Sequence, residues 1–349
     1  MQPDPDRNPG QHFVSVIVPI RNEARFITRT MEAIVYQDYP HEQMEILVAD
    51  GQSTDDTREV VAAVAARADI SVRVIDNPEK IVSTGFNRAL RQSRGDVIVR
   101  VDGHTIIAPD YVRQCVSALD RTGAVNVGGR MDPVGTNPFG EAVALATTSP
   151  FGVGGSRFHY SKKEEWVDTV YMGAWRREIF DQVGGFDEEQ VRNQDDEFNY
   201  RITARGHRIL LTPAITSVYY NRGNARSLWK QYLQYGYWKV RVMQKNPRQM
   251  SLRHFVPAAF VLTLACLALS APFSMLGRWA VTAVAALYAA SNIAATVYCT
   301  RRPRMLRFVA AAFAIIHTAY GTGFLLGLVR FRNMWHQPEA APRVRSTAV

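Results

Sequence analysis

Three short, β-branched apolar runs in the first 105 residues each break into a polar tip, and this pattern limits the fold more than any other feature. Val14-Ser15-Val16-Ile17-Val18-Pro19 runs into Arg21-Asn22-Glu23. Ile46-Leu47-Val48-Ala49 runs into Asp50-Gly51-Gln52-Ser53-Thr54-Asp55, and Val97-Ile98-Val99-Arg100-Val101 into Asp102-Gly103-His104. Apolar runs alternating with helical stretches are the mark of parallel strands buried under helices. The expected class is α/β, with a mostly parallel sheet flanked by helices. Ligands of open α/β sheets sit beyond the carboxyl ends of the strands. Acids and amides gathered there, with an Asp-x-His at the third tip, suit a nucleotide diphosphate held through a divalent cation.

The segments between the runs fit this scheme. Helical periodicity runs from Ala24 to Gln37 and stops at Asp38-Tyr39-Pro40. Thr54-Asp55-Asp56 caps a helix over Thr57 to Arg67, and further helices are expected over Ser83 to Ser93 and Pro109 to Leu119. Val72 to Ile75 and Ala124 to Val127 read as strands. From Gly128 to Asp168 glycine and proline are frequent, and Pro150 to Arg157 reads as a mobile loop. Met172 to Arg177 leads into a short helix closed by Gly184-Gly185, and Phe198 to Ala204 is a helix with Asn193 to Glu197 at its start.

Charge is divided very unevenly. Residues 1–200 hold 21 Lys/Arg and 31 Asp/Glu, whereas residues 201–349 hold 20 Lys/Arg and a single acid, Glu339. The acidic half is compatible with a metal site. The basic half could serve nucleic acid or an anionic membrane surface, and hydrophobicity decides for the membrane. Phe255 to Leu276, Trp279 to Tyr298 and Phe308 to Val329 are free of charge over 22, 20 and 22 residues. Each can cross a hydrocarbon core of roughly 30 Å, so three spans are expected, with Phe255 to Leu276, bearing Pro257 and Pro272, the one best suited to a re-entrant or interfacial role. Ser227 to Met243 interleaves Trp229, Tyr232, Tyr235, Tyr237 and Trp238 with Lys230, Lys239 and Arg241, the composition of an interfacial helix. Cys115, Cys266 and Cys299 are isolated and form no C-x-x-C, so neither a disulfide framework nor a zinc site is supported. The polar start shows no cleaved signal, which places the globular half in the cytoplasm. The expected organisation is a loose tail (1–12), a catalytic α/β domain (13–225), an interfacial helix and linker (226–250), a transmembrane region (251–332) and a basic tail (333–349).

Alternate residues leaving a strand can face one ion. Asp102 offers a hard oxygen for Mg²⁺ or Mn²⁺, and His104 a nitrogen that Mn²⁺ accepts more readily, or a hydrogen bond to a phosphate. Asp50 can accept the imide N–H of a uracil or act as a turn acid, and Gly51 fits a tight turn against a ligand. Asn193-Gln194-Asp195-Asp196-Glu197 gathers three carboxylates at a helix start, which suits capping or a general base supported by neighbours. Arg201 stands one turn after Glu197, in reach of an ion pair.

Taken together, Val16 to Glu23, Val48 to Thr57, Val101 to His104 and the Gly184-Gly185-Phe186-Asp187 to Asp195 stretch resemble family 2 glycosyltransferases of the GT-A fold. Asn193 to Phe198 and Tyr235-Gly236-Tyr237-Trp238 are most similar to the branch typified by the succinoglycan-biosynthesis glucosyltransferase. The resemblance covers about residues 13–245. It implies an inverting transfer of a sugar from a nucleotide diphosphate, usually UDP, to an acceptor hydroxyl. Pro19, Arg21, Glu23 and Asp50 would hold the nucleoside, and Asp102 the metal–diphosphate. Asp195 would deprotonate the acceptor, with Asp196 or Glu197 able to share the role. Gly173, Ala174 and Trp175 would border the donor sugar and acceptor. Three departures stand out: His104 replaces the second aspartate of the usual D-x-D, Gln194-Asp195 replaces an E-D pair, and Arg222 to Arg226 stands where processive synthases carry Q-x-x-R-W. The last favours one sugar per encounter.

Phe151 to Arg157 is the segment nominated to close over the donor, with Arg157 reaching a phosphate. Lys230 and Trp238 would guide a polyprenyl-diphosphate-linked glycan acceptor on the cytoplasmic face of a multi-pass protein. Membrane lipids and other polysaccharide-assembly proteins are the remaining candidate partners, and nucleic acid is not one. A sugar nucleotidyltransferase and a non-catalytic nucleotide-sugar-binding scaffold are the competing readings.

Overall fold

The computed structural model describes residues 12–335, so the expected N-terminal tail and most of the basic C-terminal tail lie outside the described residues. In chain order the elements are β1 (Val14–Ile20), α1 (Ile27–Val35), β2 (Met44–Asp50), α2 (Thr57–Ala65), β3 (Ser71–Asp76), α3 (Val82–Gln92), β4 (Val97–Arg100), β5 (Thr105–Ile107), α4 (Tyr111–Thr122) and β6 (Asn126–Val134). There follow α5 (Pro138–Thr147), α6 (Pro150–Val153), β7 (Glu165–Val167), β8 (Ala174–Arg176), α7 (Glu178–Val183), α8 (Gln194–Ala204) and β9 (Ile209–Tyr220). The chain continues with α9 (Ala225–Lys245), α10 (Val256–Ser270), α11 (Met275–Cys299) and α12 (Pro303–Arg330). Two compact units result. The first holds residues up to Asp132 and Tyr160–Tyr219; the second holds Pro133–His159 and the chain from Tyr220.

In the first unit the strands form one sheet in the order β3-β2-β1-β4-β8-β6-β9-β5, with β7 on β9. Its β3-β2-β1-β4 part is parallel. Every residue of β1 and β2 is buried, as expected for central parallel strands covered by helices on both faces. β8 then enters antiparallel between β4 and β6, pairing Val99 with Ala174 and Val127 with Ala174. The expected parallel sheet is therefore mixed. β5, β7, β8 and β9 are strands not expected from the sequence.

Pro19 sits inside β1, opposite Ala49 of β2. β1 pairs with β4 only from Val14 to Ile17, and the ladder closes with the Val101 N–H donating to the Ile17 carbonyl. Residues 17 and 19 share a side of the strand, so the next rung would need an N–H from residue 19, which proline lacks. The β1–β4 ladder stops there, just before Arg21 on one side and Asp102 on the other.

The second unit corrects the expected boundaries. Residues 133–159, expected inside the catalytic domain, group with the C-terminal helices because Ala142, Val143 and Ala146 of α5 bury against Met305, Val309, Phe313 and Ile316 of α12. The expected mobile loop is partly ordered structure. Ser149 caps α6 through the Gly152 N–H, and Phe151 packs edge-on against Phe313 at 4.9 Å. Two helices, α11 and α12, are long and apolar enough to cross a membrane. The third expected span is shorter: α10 has 15 residues, about 22 Å at 1.5 Å per residue, well under the roughly 30 Å of a hydrocarbon core. Pro272 follows in the turn that ends it.

The basic aromatic helix α9 packs tightly along α12 through glycine. A Cβ on Gly323 would lie 2.0 Å from the Leu233 carbonyl, one on Gly327 2.6 Å from that of Tyr237, and one on Gly236 2.0 Å from that of Tyr320. Small residues spaced four apart let helix backbones approach this closely.

Candidate functional site

The loops after β1 and β2 lock together. Asn22 and Gln52 both adopt positive φ, 55° and 54°. The Asn22 N–H donates to Ser53 Oγ at 2.9 Å, and Asn22 Oδ1 accepts from the Thr54 N–H at 2.8 Å. Glu23 N–H donates to Thr57 Oγ1 at 2.8 Å. The Gly51 N–H donates to the Ile20 carbonyl at 2.8 Å, and a Cβ there would press on Arg21 at 3.2 Å. Pro19, Arg21, Glu23, Asp50 and Gly51 thus meet at adjoining strand ends, as expected, with Arg21 exposed.

Asp50 is fully buried and well supplied. Its carboxylate accepts from Ser53 N at 3.2 Å and Ser53 Oγ at 2.5 Å, and from Arg58 Nε at 2.5 Å. Arg58 also pairs with Asp76, which ends β3 beside Asp50. Arg58 was not singled out from the sequence. Its place as the second residue of the helix after Asp50 is the signal that could have found it.

The third tip holds a second cluster. Asp102 Oδ1 accepts from Arg100 Nε and Nη2, both at 2.8 Å, and Tyr171 donates to Oδ2 at 3.4 Å. Tyr171 also bonds Thr105 Oγ1 at 2.7 Å, and burial pushes its phenol well above the ordinary value, so it stays neutral. His104 Nδ1 lies 3.0 Å from Glu23 Oε1. With Nδ1 as donor, Nε2 is left carrying the lone pair, the arrangement that orients a ligating imidazole. The His104 ring sits edge-on to Tyr219 at 5.3 Å. Among the described residues no group of three or more His, Cys, Asp or Glu could hold an ion unaided. Asp102 and His104 fit a cation that takes its remaining ligands from phosphate and water, as Mg²⁺ usually does.

α8 starts at Gln194 after Asn193 in the left-handed region, φ 63°. Its three acids divide sharply. Burial raises the Asp195 carboxyl above the usual range; Arg100 opposes this, while Asp196 and Asp102 add to it. Asp195 thus belongs electrostatically with the Arg100–Asp102 pair. Glu197, able by expectation to share the base role, is instead held in an ion pair. It is 3% exposed and engages Arg201 through both oxygens, at 2.7 and 2.9 Å, while Arg201 also bonds the Val183 and Gly185 carbonyls. The pair ties α8 to the Gly184-Gly185 turn.

Trp175 is a further correction. Expected beside sugar and acceptor, its ring is 0% exposed and packs edge-on against Phe86, Phe180, Phe186 and Phe198 at 5.8–6.0 Å. Ala174 is likewise buried, as an antiparallel partner of β4. Gly173, φ 98°, passes its carbonyl to the Arg100 N–H at 3.1 Å. A Cβ there would lie 2.5 Å from the Trp175 ring. The segment is a floor that positions Arg100.

The other residues expected at the acceptor and lid, Arg157, Lys230 and Trp238, lie in the second unit and are described within it. Arg157 is exposed at the start of a single 3₁₀ turn, Arg157–His159. Lys230 is exposed and Trp238 half-buried against Tyr237 and Phe331, both at 5.6 Å. Lys239 and Arg241, two of the three cations of the expected interfacial helix, are buried. Arg241 donates to Gln244 Oε1 at 2.8 Å and lies over the Phe331 ring.

Comparison with known proteins agrees with this geometry. The family model described as glycosyl transferase family 2 matches residues 15–184. The succinoglycan biosynthesis protein ExoA of Rhizobium meliloti is 31% identical over 322 residues, which is 91% of this chain and 96% of that protein. A dolichyl N-acetyl-alpha-D-glucosaminyl phosphate 3-beta-D-2,3-diacetamido-2,3-dideoxy-beta-D-glucuronosyltransferase of Methanococcus voltae is 28% identical, covering 67% of this chain and 75% of that protein. The solved mannosyltransferase PcManGT from Pyrobaculum calidifontis, in complex with GDP-Man and Mn²⁺, shares the fold with a TM-score of 0.55 at 21% identity, over 96% of this chain and 90% of that one. The chain belongs to family 2 of the glycosyl transferases.

Proposed function

We propose that the protein transfers one hexose per encounter, with inversion, from a UDP-sugar to a hydroxyl of a polyprenyl-diphosphate-linked glycan during polysaccharide assembly. The observation that carries this reading is the half-buried Asp195, its carboxyl raised, set in the field of the Arg100–Asp102 pair. A base is most useful when its pKa approaches working pH. The similarity to ExoA supports a place in polysaccharide assembly, and the similarity to the enzyme of Methanococcus voltae, whose name gives a dolichyl sugar phosphate, supports a lipid-linked acceptor.

Asp50, Gly51, Arg21 and Glu23 would receive the nucleoside beyond β1 and β2, with the buried Asp50 carboxylate accepting the uracil imide N–H. Asp102, with His104 as auxiliary, would hold a divalent cation, Mn²⁺ or Mg²⁺, whose chemistry when bound is to neutralise the departing diphosphate. Asp195 removes the acceptor proton as the new glycosidic bond forms on the face opposite the leaving group. Asp196, adjacent and half-buried, keeps the base from ionising too readily. Lys230 and the second-unit aromatic residues would meet the acceptor lipid, and Arg157 a donor phosphate. The two long apolar helices hold the protein in the cytoplasmic membrane with its α/β unit in the cytoplasm. Purified protein in lipid nanodiscs, given UDP-[¹⁴C]hexoses with Mn²⁺ and a polyprenyl-diphosphate sugar, should label the lipid. Label released only as free sugar, with no acceptor product from any donor, would overturn the acceptor assignment.

A further inference from the structure

Arg100 is the least explained group at this site. It is 4% exposed, an unusual place for a cation, and its side chain leaves β4 on the same face as Asp102, two residues on. Nε and Nη2 both engage Asp102 Oδ1. Nη1 is buried with no acceptor among the described residues. The guanidinium otherwise lies over the Phe186 ring at 5.8 Å, and its backbone N–H is fixed by the Gly173 carbonyl. An arginine serving only as a structural clamp would have its donors satisfied, as Arg201 does with Glu197 and two carbonyls. Arg100 instead makes one carboxylate pair and keeps a donor unspent, with the charges of both Asp102 and Asp195 acting on it.

We propose that Arg100 is an internal counter-ion that occupies Asp102 in the free enzyme and competes there with the divalent cation, so that loading the cation–diphosphate transfers Asp102 from guanidinium to metal and leaves Arg100 to Asp195. The proposal rests on Asp102 being the cation anchor. It makes Arg100 a positioning residue: the buried guanidinium stays paired with the half-buried Asp102 carboxylate when the site is empty, and it weakens apparent cation affinity by the fraction of time the pair is closed. A pair closed nine-tenths of the time weakens that affinity about tenfold.

The test is binding, read apart from turnover. Mn²⁺ is titrated calorimetrically into full-length protein in detergent at saturating UDP. Arg100→Gln should bind Mn²⁺ about tenfold more tightly than wild type, while its metal-free melting temperature falls. Arg100→Lys, which keeps the charge and loses the fork, should bind about threefold more tightly, and it serves as the measure if the glutamine variant does not fold. Mn²⁺ affinity equal to or weaker than wild type in the folded glutamine variant would overturn the competition, and so would wild-type affinity in Arg100→Lys, because relief of simple repulsion tightens only the variant that loses the charge. Asp102→Asn separates the two readings. Loss of Mn²⁺-dependent UDP binding in that variant upholds the anchor whatever Arg100 does, and unchanged binding removes the anchor and this proposal with it.

Discussion

The two ends of the sheet treat buried polar groups in opposite ways. At the parallel end the Asn22, Glu23 and Gly51 N–H groups all have partners, and Asp50 accepts from three donors. Toward the antiparallel strands, Arg100 Nη1, Asn126 Oδ1, Trp175 Nε1 and Gln194 Oε1 are buried without a hydrogen-bond partner among the described residues. Buried polar atoms left in that state are costly, by about 1–3 kcal/mol each. Such cost concentrates where a fold serves chemistry rather than its own stability. On the proposed reading, the parallel end receives the nucleoside and the other end carries the chemistry at Asp102 and Asp195.

The contrast predicts where substitutions act on rate and where on binding or stability. The largest effect should come from Asp195→Asn, with transfer falling roughly 10²-fold or more and UDP affinity by calorimetry almost unchanged. Near-normal turnover would move the base to Asp196. Next is the Glu197–Arg201 pair. Glu197→Gln should cost about 3 kcal/mol of stability in denaturant titrations, with the rate of the folded fraction retained. A rate loss without a stability loss would put Glu197 back among the catalytic groups.

At the parallel end, Arg58→Met should raise the UDP dissociation constant by about tenfold or less, because Ser53 still supports Asp50, and should leave the rate at saturating donor unaltered. The smallest and most discriminating effect concerns pH. Burial raises the Asp195 carboxyl, so its protonated, inactive form persists to higher pH than that of an ordinary aspartic acid. Transfer should decline as pH falls through that raised value. Asp196→Asn removes a neighbouring negative charge and should move the acidic limb to lower pH. A limb unmoved by this change would mean that Asp195 does not set it.

Much of the parallel end was legible, because a buried parallel strand must be a continuous apolar run. The antiparallel strands were less so. Pro213 interrupts Ile209–Tyr220, and Thr212 and Ser217 lie buried in it where apolar residues would be expected. Helix α5 hid within a glycine-rich stretch, although Asn137 and Pro138 form a readable start, with Asn137 Oδ1 accepting from the Gly140 N–H at 2.8 Å. Among the site residues, strand-end acids announce themselves by position. Arg100 sits inside an apolar run, and only the alternation of a strand places it on the face of Asp102. Trp175 misled because an aromatic residue in a family motif reads as a ligand platform, while its actual neighbours, Phe86, Phe180, Phe186 and Phe198, are scattered over more than a hundred positions.

Pro19 carries a consequence for the thermodynamics of binding. The parting of β1 from β4 is written into covalent structure, since the missing N–H is missing in every state of the protein. No incoming nucleotide has to break a backbone hydrogen bond there, and none can re-form when it leaves. The opening is therefore present before any ligand arrives, and on the proposed reading parting these strands is not among the costs that donor contacts have to offset.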